Sequence, residues 1–116
     1  MKRHAITGMA VVASAMLAVS ALAQTPAGDP AAGAKKNSMC VGCHGIAGYK
    51  TAFPEVYSVP KIGGQQPAYI VKALQAYKNG ERKHPSMVGI ATSLSDKDMA
   101  DLAAYYAAGP SKVASK

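Results

Sequence analysis

Both cysteines of the chain fall inside one pentapeptide, Cys40-Val41-Gly42-Cys43-His44, and no other C-x-x-C-H occurs in it. Two thiols at this spacing on one helical turn can each add to a vinyl group of a haem and form thioether bonds. The adjacent imidazole of His44 is then placed beneath the iron as its proximal ligand. A chain tethered in this way must fold around the macrocycle, so the motif constrains the architecture more than any other feature. Three further readings of the same residues stay open. A Cys40–Cys43 disulfide suits an oxidising compartment, although so short a loop stabilises little. A thioredoxin-like redox pair needs a βαβ context. Structural zinc needs four ligands, and beyond the N-terminal segment the chain offers only Cys40, Cys43, His44 and His84.

The start of the chain bears on where such a motif would work. Lys2, Arg3 and His4 precede an Ala/Val/Met/Leu-rich run from Ala5 to Ala23, and Ala21-Leu22-Ala23 has the small-x-small pattern of a cleavage site. Residues 1–23 therefore read as a cleaved secretory signal peptide. Retention as a membrane anchor is the alternative, but Thr7, Gly8, Ser14 and Ser20 interrupt the run and a polar, Pro/Gly-rich stretch from Gln24 to Pro30 follows it. The expectation is a soluble periplasmic protein with no stable membrane insertion after cleavage. It divides into a flexible linker at 24–28, one domain at 29–110 and a short polar tail at 111–116. With a single Phe and no Trp, a domain of this size needs a staple or a large cofactor to complete its interior.

The formal charge is +7. Without Lys2 and Arg3, 11 basic residues stand against 6 acidic ones, leaving +5 with histidines neutral. Lysines and arginines are scattered from Lys35 to Lys116 and no nucleic-acid motif accompanies them, so DNA and RNA are not expected partners. A merely solvated surface and a basic face that steers acidic partners are equally open.

Asp29-Pro30 is a good helix start, with Asp as N-cap and Pro at the first helical position, and predicts a helix from Ala31 to about Met39 that delivers Cys40. From Gly45 to Gly64 glycines and prolines recur with no sustained period, which predicts a long irregular loop. Ile70, Leu74 and Tyr77 then fall at i, i+4 and i+7, with Tyr69 and Ala73 on the same side, marking an amphipathic helix that Gly80 ends. A polar loop, Glu81 to Ser86, leads into Met87-Val88-Gly89-Ile90-Ala91. Ser95 caps a final helix whose face is Met99, Leu102, Ala103 and Tyr106, with Asp96 and Asp98 in its first turn and Gly109-Pro110 as its stop. No stretch alternates with period two and no internal repeat is present, so the fold class is all-α.

With these marks the sequence resembles the small class I monohaem cytochromes c of bacteria, in the c553, c5 and c4-like branch. The resemblance covers the whole domain. Its marks are Gly28-Asp29-Pro30 with Gly33, the Cys40 to His44 pentapeptide, Pro60-Lys61-Ile62-Gly63-Gly64-Gln65 and Tyr77 to Arg82. Met87 to Ala91 leading to Leu94-Ser95-Asp96, and Asp101-Leu102-Ala103-Ala104-Tyr105, complete them. The resemblance implies a cytochrome c fold of three to five helices and long loops wrapped around one haem c, covalently attached through Cys40 and Cys43, with the first and last helices crossing.

The family also implies roles residue by residue. Met87 falls where its members place the thioether that completes the sixth coordination position of the iron. Met39 touches the attachment motif and Met99 lies on the apolar stripe of the last helix, so both read as packing residues. His84 is the rival distal ligand. Pro60 lies where the family uses a proline carbonyl to accept a hydrogen bond from the proximal histidine. The spacer between His44 and Pro60 is longer here than in the common pattern, around Phe53-Pro54-Glu55-Val56-Tyr57. Gln65 and Arg82 are candidate partners of the haem propionates, with plain surface placement as the alternative, and Gly33 is a candidate for close approach of the first and last helices.

An iron with His44 and Met87 on its two faces is closed to substrate, which favours a single-electron carrier over an enzyme. The expected partners are redox proteins: a quinol-oxidising complex or periplasmic dehydrogenase as donor and a terminal oxidase as acceptor, in transient complexes with a monomer. The alternatives are a dedicated cytochrome subunit of one dehydrogenase complex and, from another class, a haem peroxidase or gas sensor with an open iron.

Overall fold

The computed structural model describes residues 26–53 and 55–109. The expected signal segment at 1–23, the start of the linker, Pro54, Pro110 and the tail at 111–116 lie outside the described residues.

Asp29 caps the first helix as its position suggests: its Oδ1 accepts from the Ala31 N–H at 2.8 Å, and Pro30 takes the first helical position. Helix α1 (Pro30–Lys36) ends on Lys35 and Lys36, whose charges suit the negative end of the helix dipole. The helix expected to run on to Met39 instead turns at Asn37, and α2 (Ser38–His44) begins immediately after it. Asn37 is held by two tyrosines of the far end of the chain. Its Nδ2 donates to the Tyr105 hydroxyl at 3.3 Å, and the Tyr106 hydroxyl donates to its Oδ1. A side chain committed to tertiary partners in this way fixes where one short helix stops and the next starts.

The segment from Gly45 to Gln66 is irregular except for a small hairpin. Strands β1 (Lys50–Thr51) and β2 (Tyr57–Ser58) pair antiparallel, Lys50 opposite Ser58 and Thr51 opposite Tyr57. The Thr51 hydroxyl donates towards the carbonyls of Glu55 at 3.1 Å and Tyr57 at 3.3 Å, and Val59 N–H donates to Tyr49 O at 3.0 Å. The extra residues of the spacer are thus folded back on themselves. The purely irregular loop expected here is corrected to that extent; the fold remains all-α, since two two-residue strands have too little length to bury a face.

Helix α3 (Pro67–Lys78) starts where Gln66-Pro67 predicts, and Gly80, at φ +84°, takes up the left-handed conformation that closes it. Helix α4 (Pro85–Thr92) stands where the sequence suggests a loop carrying Met87: His84 is its N-cap residue, Pro85 its first position, and Met87 sits in its first turn. Pro85 and Gly89 conceal that helix in the sequence, although Pro suits a first helical position. Helix α5 (Asp96–Ala108) opens on a reciprocal cap, Ser95 Oγ accepting from Asp98 N–H at 3.1 Å while Ser95 N–H donates to Asp98 Oδ2 at 3.0 Å.

Helix α5 carries most of the core. Met99, Ala100, Leu102, Ala103 and Tyr106 are buried along it against Ile70 and Val71 of α3 and Leu94, each large apolar side chain contributing about 1.5–3 kcal/mol on burial. Helix α1 crosses α5 on glycine. A methyl group at Gly33 would stand 2.1 Å from the Asp101 carbonyl oxygen, and one at Gly28 only 2.0 Å from that of Ala100. At the same crossing the buried Asp101 carboxylate accepts from Asp29 N–H at 2.8 Å, from Lys36 Nζ at 2.8 Å and from Lys97 Nζ. The hydrogen bond from Lys36, helped by those from Lys97 and Asp29, holds the Asp101 carboxyl well below the usual carboxylate range.

Candidate functional site

Helices α2, α3, α4 and α5 and the loop after β2 surround a cleft of about 520 Å³, a size typical of small-molecule and cofactor sites. Helix α2 contributes Met39, Cys40, Cys43 and His44; α4 contributes Ser86, Met87 and Ile90; α5 contributes Leu102 and Tyr106. The floor is apolar. Its largest share comes from α3, whose Tyr69, Ile70, Ala73, Leu74 and Tyr77 all border the space. These are the residues that mark α3 as amphipathic in the sequence. Only Ile70 among them is fully buried by protein, so much of that face is turned to the cleft.

Helix α2 buries none of its own residues completely. Cys40 nevertheless packs against both core clusters, the one around Ile70 and Tyr106 and the one around Met99 and Leu102. Burial pushes its thiol pKa up, partly offset by a hydrogen bond with Tyr106, and the thiol is therefore kept uncharged. Cys43 is half-buried, and the two sulfurs are not bonded to each other. Among the described residues no group of three or more His, Cys, Asp or Glu side chains converges.

His44 ends α2 and is oriented from outside it. Its Nδ1 donates to the Pro60 carbonyl at 2.7 Å, which leaves Nε2 with the lone pair. Pro60 is brought there by the turn that follows it: Gln65 N–H donates to Ile62 O at 3.2 Å and Gly64 N–H to Tyr106 O at 2.8 Å, tying the loop to α5. The longer spacer costs this contact nothing, because the hairpin absorbs it.

All seven residues singled out in the sequence, Cys40, Cys43, His44, Pro60, Gln65, Arg82 and Met87, border the one cleft. Met87 is half-buried there, whereas Met99 is fully buried in the core and does not reach it. Met39 also lines it but is 47% exposed on the helix that carries the cysteines. Gln65 turns its Oε1 to the N–H of Gln66 at 2.9 Å, and the Arg82 guanidinium lies over the Tyr77 ring, 4.6 Å from its centroid. The sequence does not single out Tyr57, whose ring meets that of His84 edge-on at 4.9 Å. His84 borders the cleft too, and its Nδ1 is buried with no hydrogen-bonding partner in the protein.

These features can be tested against a haem. An apolar floor, two thiols on one helical turn, one oriented imidazole and one thioether suit the macrocycle and its iron. The residues fit the group.

A family model described as cytochrome c matches residues 30–107. The chain is similar to cytochrome c4 from Pseudomonas aeruginosa, 43% identical over 81 residues that cover 70% of this chain and 38% of that protein. It is likewise similar to cytochrome c-554(548) from Halomonas halodenitrificans, 43% identical over 83 residues, 69% of this chain and 95% of that protein. Cytochrome c4 from Thiocapsa roseopersicina is 45% identical over 84 residues, 72% of this chain and 41% of that protein. The chain thus spans less than half the length of these cytochromes c4 and nearly all of the Halomonas protein.

Proposed function

The chain belongs to the cytochrome c family, and from that premise we propose that it is an exported one-electron carrier whose covalent haem c is held between His44 and Met87. Haem c, attached through Cys40 and Cys43, is the cofactor of this family; it supplies the one-electron ferric/ferrous couple. What carries the reading is the hydrogen bond from His44 Nδ1 to the Pro60 carbonyl at 2.7 Å. It fixes the tautomer and raises the basicity of the nitrogen left free, as second-shell acceptors do for metal-bound histidines.

The remaining residues divide the work. Met87, half-buried on the first turn of α4, offers a soft sulfur that favours the ferrous state. Ile70, Leu74, Ile90 and Leu102 exclude water, which disfavours the added charge of the ferric state. Pro60 and the α5-anchored loop hold the imidazole still between oxidation states. With His44 on one face of the iron and Met87 on the other, the site would move electrons without bond chemistry. Excess positive charge on the domain steers acidic redox partners in transient contacts, and residues 1–23 direct export.

The decisive experiment is a paired redox titration and carbon monoxide difference spectrum on the exported protein and on Met87→Ala. The parent is expected to bind no carbon monoxide at neutral pH, and Met87→Ala to keep its covalent haem, lose potential and bind the gas. Binding by the parent would instead support a peroxidase or gas sensor. Co-purification in fixed stoichiometry with one dehydrogenase would support a dedicated subunit.

A further inference from the structure

Phe53 and Val56 are the most exposed large apolar side chains among the described residues, 86% and 77% open to solvent, and both lie in the connection between β1 and β2. Phe53 is the only phenylalanine of the chain, so a residue type suited to a core stands on an open turn. Neither residue borders the cleft or the smaller polar pocket of about 260 Å³ beside it, so a haem seated in the cleft leaves both uncovered. Met39, Tyr57 and Tyr69 differ. They too are partly exposed, but each borders the cleft. The hairpin thus has one pair, Thr51 and Tyr57, on the cleft and an apolar tip for which the cofactor has no use. Exposed apolar groups of this kind mark contact with a protein or a membrane.

We propose that the tip is a reversible membrane contact: Phe53 and Val56 enter the interface of an anionic lipid bilayer while the cations beside them meet the lipid phosphates. Charge is the first argument. Lys50 lies three residues before Phe53, and Arg82 and Lys83 border the polar pocket together with Glu55. Lys50, Arg82 and Lys83, all exposed, therefore stand against the single acid Glu55. An anionic surface attracts such a tip, whereas a second copy carrying the same excess charge is repelled. The backbone is the second argument. The Thr51 hydroxyl donates towards the Glu55 and Tyr57 carbonyls at 3.1 and 3.3 Å, and Pro54 has no N–H. Fewer polar groups must then be dehydrated as the tip enters an apolar medium. Two apolar side chains are too few for a permanent anchor, so the contact is weak and sensitive to salt. It holds an exported carrier close to a membrane without spanning it, and it does not depend on which residues bind the iron.

The test measures co-sedimentation of the holoprotein with phosphatidylcholine vesicles, with and without phosphatidylglycerol, at low and at physiological ionic strength. The parent is expected to bind the vesicles that contain phosphatidylglycerol, less tightly as salt rises, and to bind pure phosphatidylcholine far more weakly. Phe53→Ser should lower binding about tenfold, whereas Phe53→Trp should match or exceed the parent, because Trp favours the membrane interface. Visible spectrum and thermal midpoint should stay those of the parent in both variants. A parent that binds no anionic vesicle overturns the proposal, as does equal binding to pure phosphatidylcholine. Undiminished binding by Phe53→Ser also overturns it, reducing the contact to adsorption of charge. If the parent ignores vesicles but dimerises, and Phe53→Ser is monomeric, the tip is an interface with a second copy instead. Absence of covalent haem would sink the carrier reading, which the visible spectrum reports separately from the vesicle measurement.

Discussion

Helix α1 meets α5 on protein atoms alone, whereas α2 and α4 border a cleft that the polypeptide leaves unfilled. At the crossing, Gly28 and Gly33 let backbone touch backbone, and the buried Asp101 carboxylate finds three donors within the chain. At the cleft, Leu74, Met87 and Ile90 are only half-buried, α2 has no fully buried residue, and His84 Nδ1 is unpaired. The first region is complete as folded and the second is half of an interface. A domain with a single Phe and no Trp divides its stability between a self-sufficient helical corner and a surface that matures only on its cofactor.

The largest effect is expected where the cofactor joins the chain. Cys40→Ser, Cys43→Ser or His44→Ala should abolish accumulation of holoprotein, read as covalent haem absorbance in the denatured exported fraction. If the double cysteine variant kept normal helicity without haem, the cleft would be an ordinary groove and the contrast between the two regions would vanish.

Next comes the crossing itself. Gly33→Val places side-chain atoms where even a Cβ stands 2.1 Å from the Asp101 carbonyl oxygen. Overpacking of this kind costs about 3 kcal/mol or more, and chemical denaturation should show it as a lowered midpoint. Because Gly33 does not border the cleft, the visible spectrum of the folded fraction should stay that of the parent.

Met99→Ala removes a fully buried side chain from α5 and should cost about 2–5 kcal/mol with an unaltered iron spectrum. That is the opposite signature to Met87→Ala, which changes the iron and much less of the stability. A spectral change in Met99→Ala would show that the two regions are not separable.

The smallest effect concerns acid. The hydrogen bond from Lys36 is the main cause that holds both Asp98 and Asp101 below the usual carboxylate range, with Ser95 helping at Asp98 and Lys97 at Asp101. Groups whose pKa is lowered on folding contribute stability that is fully present above the unfolded value, about 3.9, and lost as pH falls through the lower folded value. Thermal melts from about pH 6 to pH 2 should therefore fall at the acid end. Asp101→Asn, which weakens charge-assisted hydrogen bonds, should lower stability at neutral pH by about 1–3 kcal/mol and flatten that fall. An equally steep acid limb in the variant would place the titrating group elsewhere.

Much of this architecture is legible in the sequence because its signals are local. Asp29-Pro30, Gln66-Pro67 and Ser95 start helices by hydrogen bonds and dihedral angles set within a few residues, and Gly80 ends one by its own backbone freedom. The pentapeptide likewise announces its chemistry unaided. What the sequence conceals depends on distant partners. The turn at Asn37 is decided by Tyr105 and Tyr106, and the loop that carries Pro60 to His44, a contact only the resemblance implies, is anchored on Tyr106. The first turn of α4 was hidden because Pro85 and Gly89 read as breakers, although Pro suits a first helical position. The α3 face cannot reveal from its period alone whether it meets protein or a cofactor. Nor does any pattern mark His84 as unpaired, since that is a property of everything around it.

The anchoring of Asn37 also sets an order of events. Its two hydrogen-bonding partners lie 68 and 69 residues further along the chain, so the segment that carries the cysteines cannot settle into its final position until the last helix has been made and has docked. During synthesis from the N-terminus, the two thiols emerge early and stay reachable, and α5 closes behind them afterwards. The latch that finishes the fold is thus the last part to arrive, which leaves an interval for a covalent graft on an open chain.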